Sequence, residues 1–315
     1  MQILHESQVL DSEIDRLGHM NVQYYMSRMQ AANGTLLAQL GITEEMCKQR
    51  GVLLRQRDVY CRFHREQFAG APLQVLGALL GVSDRHARCY FEIRNSSDEQ
   101  MAASLVVASE LVSIEDRTPV ALPTAIIENS PDLPTIAEIP KAGGPRSLKL
   151  SQPRLDVTLD ALQAQIVDAG PMSMMTGFFE AQVPAAACDE QGFLRPGEPL
   201  MFAGRRPNQD EDGSFGPPVL TTDEGHRFGW AIMETRAITF AEPRAHTRIV
   251  GAGADVALAD KTRQTRRWSF DADSKQLLQI HDSVAVALDL DARRAIPIPR
   301  SMRASIEQNF LPDLA

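Results

Sequence analysis

The two halves of the chain resemble each other, and this internal similarity constrains the fold more than any other feature of the sequence. The segment "IDRLGHMNVQYYMSRMQAANG" (14–34) aligns with "VDAGPMSMMTGFFEAQVPAAA" (167–187). A longer block (61–101) aligns in the same order with residues 238–278. Because self-similar blocks in matching order indicate repeated structural units, we expect two copies of one fold.

The spacing between the two copies predicts an insertion in the second one. In this alignment Asp168 lies 153 positions after Asp15, whereas Phe240 lies 177 positions after Phe63. The polar, Pro/Gly-rich segment 204–226 would supply the 24 extra positions as a surface loop or lid.

The domain boundaries follow from the same alignment and from composition. Residues 124–147, rich in Pro and Gly, separate the copies. We therefore expect a first domain over 1–123, a linker over 124–147, and a second domain over 148–300 that contains the insertion. Residues 301–315 would form a C-terminal helix or tail.

One copy reads as a long helix followed by an antiparallel meander. Apolar residues recur with helical spacing from Val22 to Leu40, with Asn21 as a natural N-cap and Gly41 as the residue that ends the helix. Alternating segments separated by short turns then predict three to four strands between about residues 55 and 114. The fold class is α+β. In the second copy Pro184 falls inside the segment aligned with the helix and should kink or shorten it.

Composition excludes several classes of function. The net charge of −9 argues against a nucleic-acid partner, and no apolar run approaches the roughly 20 residues needed to span a membrane. The four cysteines form no C-x-x-C pair, and the seven histidines show no metal-binding spacing, so we expect no metal. The polar first residues are not typical of a signal peptide, so we expect a cytoplasmic protein.

The motif D-x-x-G-H-M-N, here "DRLGHMN" (15–21), opens the predicted helix. Together with "FHREQFAGAPLQV" (63–75) and the strands after it, this pattern resembles the hotdog-fold acyl-CoA thioesterases, most closely the 4-hydroxybenzoyl-CoA thioesterase-like branch. The resemblance covers about residues 5–120.

For the whole chain this resemblance implies a fused double hotdog. Its two antiparallel sheets would each wrap around a long helix and pair as an intramolecular pseudo-dimer. The family hydrolyses thioesters of coenzyme A or acyl carrier protein without a cofactor. An acyl-CoA or acyl-ACP substrate is therefore implied, and a homodimer of fused chains is possible.

The resemblance assigns catalysis to Asp15, as nucleophile or as general base towards water. The chemistry is reasonable, because a thioester needs little more than a positioned carboxylate and an oxyanion site. The backbone amides of Gly18, His19, Met20 and Asn21 lie near the helix start, where unpaired N–H groups favour a developing oxyanion.

The neighbouring residues receive the supporting roles. His19 would orient Asp15 or contact the thioester, and Asn21 would cap the helix or hold the attacking water. We expect the substrate-binding residues to include Gly18, Met20, Tyr24, Tyr25 and Glu66. Asp168, without a histidine or asparagine beside it, is a weaker second candidate.

Two other functions remain open at this stage. A hotdog dehydratase or hydratase would need a differently arranged histidine and carboxylate, commonly in a G-D-x-N-P-x-H-like stretch that this sequence lacks. A non-catalytic acyl-binding protein would have lost both sites, and the intact first motif argues against that.

Overall fold

The computed structural model describes residues 1–166, 176–195 and 218–314. The chain divides into unit 1, Met1–Arg146, and unit 2, Ser147–Ala315. Asp168 and much of the predicted loop 204–226 lie outside the described residues.

Unit 1 contains six strands and three α-helices. They are β1 (Gln2–Gln8), α1 (Val22–Gln39), α2 (Glu44–Arg50), β2 (Val52–Phe63), β3 (Pro72–Val82), β4 (Ala87–Asn95), β5 (Gln100–Ser113), β6 (Pro119–Val120) and α3 (Thr124–Asn129). The long strands form an antiparallel sheet in the order β1-β3-β4-β5-β2, and the short β6 pairs with β5.

Helix α1 forms where the apolar spacing predicts it. The side chain of Asn21 accepts a hydrogen bond from Gln23 N at 3.2 Å, which satisfies one of the unpaired amides at the helix start. Gly41 follows the helix with a φ of +100°, a left-handed conformation that glycine adopts without strain. The predicted N-cap and helix end are therefore confirmed.

One face of α1 is buried and contacts β1, β3 and β4. Tyr25, Met29, Leu36 and Leu37 on this face are at most 3% exposed. Burying side chains of this size contributes about 1.5–3 kcal/mol each, so this face holds the helix against the sheet.

The elements of unit 1 that were not predicted include strand β1 and helix α2. Strand β1 pairs with β3 in a short polar segment that carries little apolar alternation. Helix α2 is capped by Thr43 and ends at Gly51, whose φ is +62°. Its Thr-Glu-Glu start and terminal glycine are helix signals that were present in the sequence.

The described part of unit 2 contains seven strands and two α-helices. They are α4 (Leu159–Gln165), β7 (Gly177–Gln182), β8 (Leu220–Thr221), β9 (Arg227–Thr239), β10 (Arg248–Leu258), β11 (Thr262–Asp271), β12 (Leu277–Asp289), β13 (Arg294–Ala295) and α5 (Arg300–Glu307). The sheet order is β9-β12-β11-β10-β7, antiparallel throughout, with β8 on β9 and β13 on β12. Leu159, Leu162, Trp268 and Phe270 belong to one core cluster of this unit.

The predicted position of the second helix is wrong. Residues Gly177–Gln182, which the sequence alignment placed beneath the helix of the first copy, form strand β7 and pair with β10. The aromatic pair in "GFFEAQ" favours a strand, and Phe179 packs directly over Gly251 of β10. The edge strand β7 therefore corresponds to β1 rather than to α1.

No helix in the described ranges is long and apolar enough to cross a membrane.

Candidate active site

The motif 15–21 folds into a tight turn between β1 and α1. The amide of Asp15 donates to the carbonyl of His19 at 3.0 Å, and the amide of Gly18 donates to the carbonyl of Asp15 at 2.8 Å. Gly18 has a φ of +81°, so the turn needs a residue without a Cβ at this position. The glycine of the motif therefore has a conformational role.

The carboxylate of Asp15 is held in one orientation. Its Oδ1 accepts from Leu17 N at 2.9 Å, and its Oδ2 accepts from Asn21 Nδ2 at 2.9 Å. The residue is only 8% exposed. Asn21 thus caps α1 with its oxygen and orients Asp15 with its nitrogen, a double role that needs both ends of the amide.

His19 contacts a different carboxylate from the one expected. Its Nδ1 lies 3.1 Å from Glu66 Oε1, a close contact whose alignment falls short of a hydrogen bond. Within the described ranges, no hydrogen bond joins the ring to Asp15. The structure therefore gives the orienting role to Asn21 and brings His19 and Glu66 together.

The two tyrosines occupy different environments. Tyr24 is partly exposed, with its hydroxyl 3.4 Å from the carbonyl of Ser12. Tyr25 is 3% exposed, packs edge-on against Phe63 and donates to the carbonyl of Arg65 at 3.3 Å. Burial raises the pKa of Tyr25 well above its usual value, with nearby charged groups adding to the shift, so its hydroxyl keeps its proton.

The structure narrows the set of possible oxyanion donors. The amides of Gly18, Met20 and Asn21 already donate to the carbonyls of Asp15, Gln67 and Glu13. In the described part of the chain, the amides of His19 and Val22 make no hydrogen bond. The expectation for Gly18, Met20 and Asn21 is therefore wrong, because closing the turn uses their N–H groups.

Met20 is part of the core. Its side chain is 1% exposed, and its amide ties the motif to Gln67 at 2.8 Å. The structure gives Met20 a structural role, and its predicted contact with substrate stays a prediction.

An open cleft of about 400 Å³ adjoins this turn. Its lining comes from the β2–β3 connection and the β4–β5 turn: Arg65, Glu66, Gln67, Phe68, Ala71, Asn95 and Asp98. Gln67 binds Met20 through its carbonyl and accepts from Asn95 Nδ2 at 3.0 Å through its side chain. The wall of the cleft is thus bonded directly to the motif.

A buried ion pair that sequence reasoning missed anchors the turn. Arg28 of α1 donates to both oxygens of Glu13, at 3.2 and 2.7 Å, and the two residues are 6% and 8% exposed. The carbonyl of Glu13 also accepts from Asn21 N at 2.9 Å. A signal existed, since Arg28 is a charged residue at a buried position of the apolar helix face.

The nearby thiols do not offer an alternative nucleophile. Burial raises the pKa of Cys61 well above its usual value and that of Cys89 to about 12. Both thiols are 0% exposed. A thiolate at either position is therefore disfavoured.

Unit 2 contains a second turn with the same backbone. Asp189 N donates to Phe193 O at 2.8 Å, and Gly192 N donates to Asp189 O at 2.9 Å. Gly192 has a φ of +80°, against +81° for Gly18. Arg195 N donates to the carbonyl of Ala187 at 3.0 Å, as Asn21 N does to Glu13.

This match corrects the alignment of the two copies. The counterpart of Asp15 is Asp189, 174 positions further along, whereas the sequence alignment had chosen Asp168. The bond from Leu194 N to Pro243 O corresponds to the bond from Met20 N to Gln67 O. With this register the number of positions between equivalent residues of the two halves is therefore nearly constant along the chain. The argument for an insertion at 204–226 rested on the earlier register and falls with it.

The second turn has lost the chemical groups of the first. Phe193 and Arg195 replace His19 and Asn21, and the guanidinium of Arg244 stacks 4.0 Å over the ring of Phe193. One oxygen of Asp189 accepts from the amides of Gln191 and Phe193 at 3.1 and 3.0 Å. The second turn retains the carboxylate, but the two amides that bind this oxygen belong to the turn itself.

Comparison with known proteins agrees with the resemblance seen in the sequence. Residues 9–130 match the family model of the thioesterase-like superfamily. The matched segment contains the motif turn, α1 and strands β2 to β6 of unit 1. No curated protein sequence matches the chain.

Solved structures share the fold over most of the chain. A Lactobacillus plantarum protein assigned as an oleoyl thioesterase is 12% identical to this chain, with a TM-score of 0.59. The match covers 94% of this chain and 98% of that protein. The 12:0-ACP thioesterase of Umbellularia californica is 10% identical with a TM-score of 0.64, and the match covers 90% of this chain and 93% of that protein. An acyl-ACP thioesterase of Bacteroides thetaiotaomicron is 8% identical with a TM-score of 0.58, and the match covers 89% of this chain and 96% of that protein. The predicted resemblance to hotdog-fold thioesterases is thereby confirmed at the level of the fold.

Proposed function

We propose that this protein hydrolyses the thioester of an acyl-CoA or acyl carrier protein, with Asp15 as the reacting carboxylate. One observation carries the proposal. Asp15 is nearly buried, is held by Leu17 N and Asn21 Nδ2, and lies in the turn that leads into α1 and adjoins an open cleft. The match of residues 9–130 to the thioesterase-like superfamily supports the same reaction.

In the first step a carboxylate oxygen of Asp15 attacks the thioester carbonyl or takes a proton from an attacking water. Asn21 keeps the carboxylate in place, because the amide nitrogen that binds Oδ2 belongs to the residue that caps α1. If Asp15 is the nucleophile, the thiolate leaves and water then hydrolyses the resulting anhydride. If it is the base, the tetrahedral intermediate expels the thiolate directly.

The negative charge on the carbonyl oxygen is stabilised by the amides that the turn leaves free. His19 N and Val22 N lie at the helix start, where the helix dipole adds a partial positive charge. Each such donor typically contributes about 3–4 kcal/mol to lowering the barrier.

The two units are proposed to be two hotdog repeats that make up an intramolecular pseudo-dimer. The paired turns at Asp15 and Asp189 and the equivalent strand orders support a duplication. The domain boundaries predicted from the sequence remain part of this proposal.

Release of free thiol from a panel of short, long, aromatic and charged acyl-CoA and acyl-ACP substrates tests the function. We expect Asp15→Asn and Asp15→Ala to lower kcat at least about 100-fold, the usual contribution of a positioned base. Asp11→Asn is the matched control, since Asp11 is an exposed carboxylate of the same loop and should keep full activity. Full activity in both Asp15 variants would refute the proposal.

A further inference from the structure

One arginine among the residues that line the cleft beside the motif turn has a side chain without a partner among the described residues. Arg65 is exposed and lines the cleft, and its side chain forms no hydrogen bond or ion pair with the described residues. Its backbone is fixed at both ends, because its amide donates to Ala102 O at 3.2 Å and its carbonyl accepts from Tyr25. The guanidinium is therefore presented from a rigid position.

The remaining lining is of mixed character. Phe68 is 51% exposed, which is unusual for a large aromatic side chain, and Ala71 adds a second apolar group. Asn95 contributes an amide, and Glu66 and Asp98 contribute carboxylates. Because these carboxylates would repel an anion, a phosphate entering the cleft has Arg65 as its binding partner among the lining residues.

We propose that this cleft binds the phosphopantetheine arm of the substrate, with Arg65 on its phosphate and Phe68 against its apolar dimethyl segment. This inference rests on the proposed function and names the part of the substrate that the site recognises. The arm contains one phosphate, an apolar dimethyl group next to it and two amides, and the cleft offers one guanidinium, exposed apolar surface and an amide. A guanidinium suits phosphate because its planar fork donates two parallel hydrogen bonds.

The cleft is also connected to the reacting carboxylate in the way this substrate requires. Glu66 touches His19, Gln67 binds Met20, and Tyr25 joins the carbonyl of Arg65 to helix α1. An arm lying in the cleft would lead its thioester along this wall towards the motif turn.

Three thioesters of one acyl group separate the parts of the arm: acyl-CoA, acyl-pantetheine without phosphate, and acyl-N-acetylcysteamine with only the end of the arm. We expect Arg65→Ala to raise KM for acyl-CoA about tenfold at low ionic strength with kcat unchanged. It should leave acyl-pantetheine unaffected. Arg85→Ala removes an equal charge from the exposed β3–β4 turn and should change neither.

The aromatic contact has its own test. Phe68→Ser should lower kcat/KM severalfold for acyl-CoA and acyl-pantetheine but leave acyl-N-acetylcysteamine unchanged. Since Phe68 is exposed, this variant should fold normally. Equal effects of Arg65→Ala on all three thioesters, or no difference from Arg85→Ala, would overturn the assignment.

An acyl carrier protein substrate distinguishes the possible phosphates. A similar rise in KM for acyl-ACP supports contact with the phosphate that both carriers share. A rise with acyl-CoA alone would place Arg65 on the nucleotide phosphates and overturn the assignment.

If the wild-type protein hydrolyses no thioester, the proposed function fails, and calorimetric titration with coenzyme A still tests the cleft. Binding that Arg65→Ala weakens and Arg85→Ala preserves supports the inference. Equal binding in all three proteins, or no binding to the wild type, contradicts it.

Discussion

At the scale of single residues, Arg28 is the side chain on which the geometry of the motif turn most depends. All five of its N–H donors are used: two on Glu13 and one each on Ser7, Gln8 and Tyr24. These bonds join β1, the turn and α1. The position of Asp15 is therefore coupled to the buried pair of Glu13 and Arg28.

We expect Glu13→Ala or Arg28→Ala to lower the free energy of unfolding by about 3–5 kcal/mol, because each leaves an uncompensated buried charge. The double variant should lose less than the sum of the two single losses, since it leaves no stranded charge. Denaturant unfolding measures this coupling. Additive losses would contradict it.

The pair Arg154–Asp156 is the matched control in the other unit. Its side chains are 54% and 69% exposed, so removing either should cost no more than about 1 kcal/mol.

To separate positioning from stability, the Glu13→Gln variant should be assayed well below its unfolding temperature. A lowered kcat at unchanged KM supports a positioning role for Glu13, which a purely structural role would not produce.

At the scale of elements, strand β12 carries a pH-sensitive group. His281 Nε2 lies 2.8 Å from the hydroxyl of Thr235, whose oxygen is also 3.1 Å from the carbonyl of Asp282. Burial, reinforced by Arg267 and opposed by Asp282, lowers the pKa of His281 to about 4. The imidazole is therefore neutral in the folded protein at pH 7.

Acidification should destabilise the protein through this residue. With an unfolded pKa of 6.5, the unfolded state binds the proton first, so stability is full above pH 6.5 and falls as pH drops towards 4. The loss is on the order of 3 kcal/mol. Urea unfolding of the wild type and of His281→Gln between pH 7 and 4 measures it, and the variant should show a flatter pH dependence. Identical profiles would contradict the prediction.

At the scale of the whole molecule, the described residues contain the turn at Asp15 with its full D-x-x-G-H-M-N motif and a similar turn at Asp189 that lacks the histidine and the asparagine. Asp189→Asn should keep kcat within about twofold of the wild type, because Arg195 stands where Asn21 holds Asp15 and Phe193 stands in place of His19. The only expected cost is about 1 kcal/mol of stability from weakened hydrogen bonds within its turn. Steady-state assays beside Asp15→Asn measure this asymmetry. A comparable loss of activity in both variants would show that both turns react.

Much of the fold of unit 1 could be predicted because its signals are local. The period of apolar residues from Val22, the cap at Asn21 and the alternation in β2 to β5 depend on neighbours in the chain. The similarity between the two halves of the sequence was also detectable, yet its register was not. Asp168 and Asp189 both precede a glycine, and the backbone bonds at Asp189 and Gly192 show that Asp189 lies in a turn like that of Asp15.

The sequence by itself determined the long first helix, the antiparallel meander and the motif around Asp15 that opens the helix. Periodicity, capping and residue chemistry act over a few positions and can be read from the sequence. The tertiary structure alone decided that Asn21 rather than His19 orients Asp15 and that Glu13 and Arg28 form a buried pair. It also revealed the cleft beside Glu66. These contacts join residues that are far apart in the chain or compete for one partner, so their outcome depends on how the sheet and helix pack.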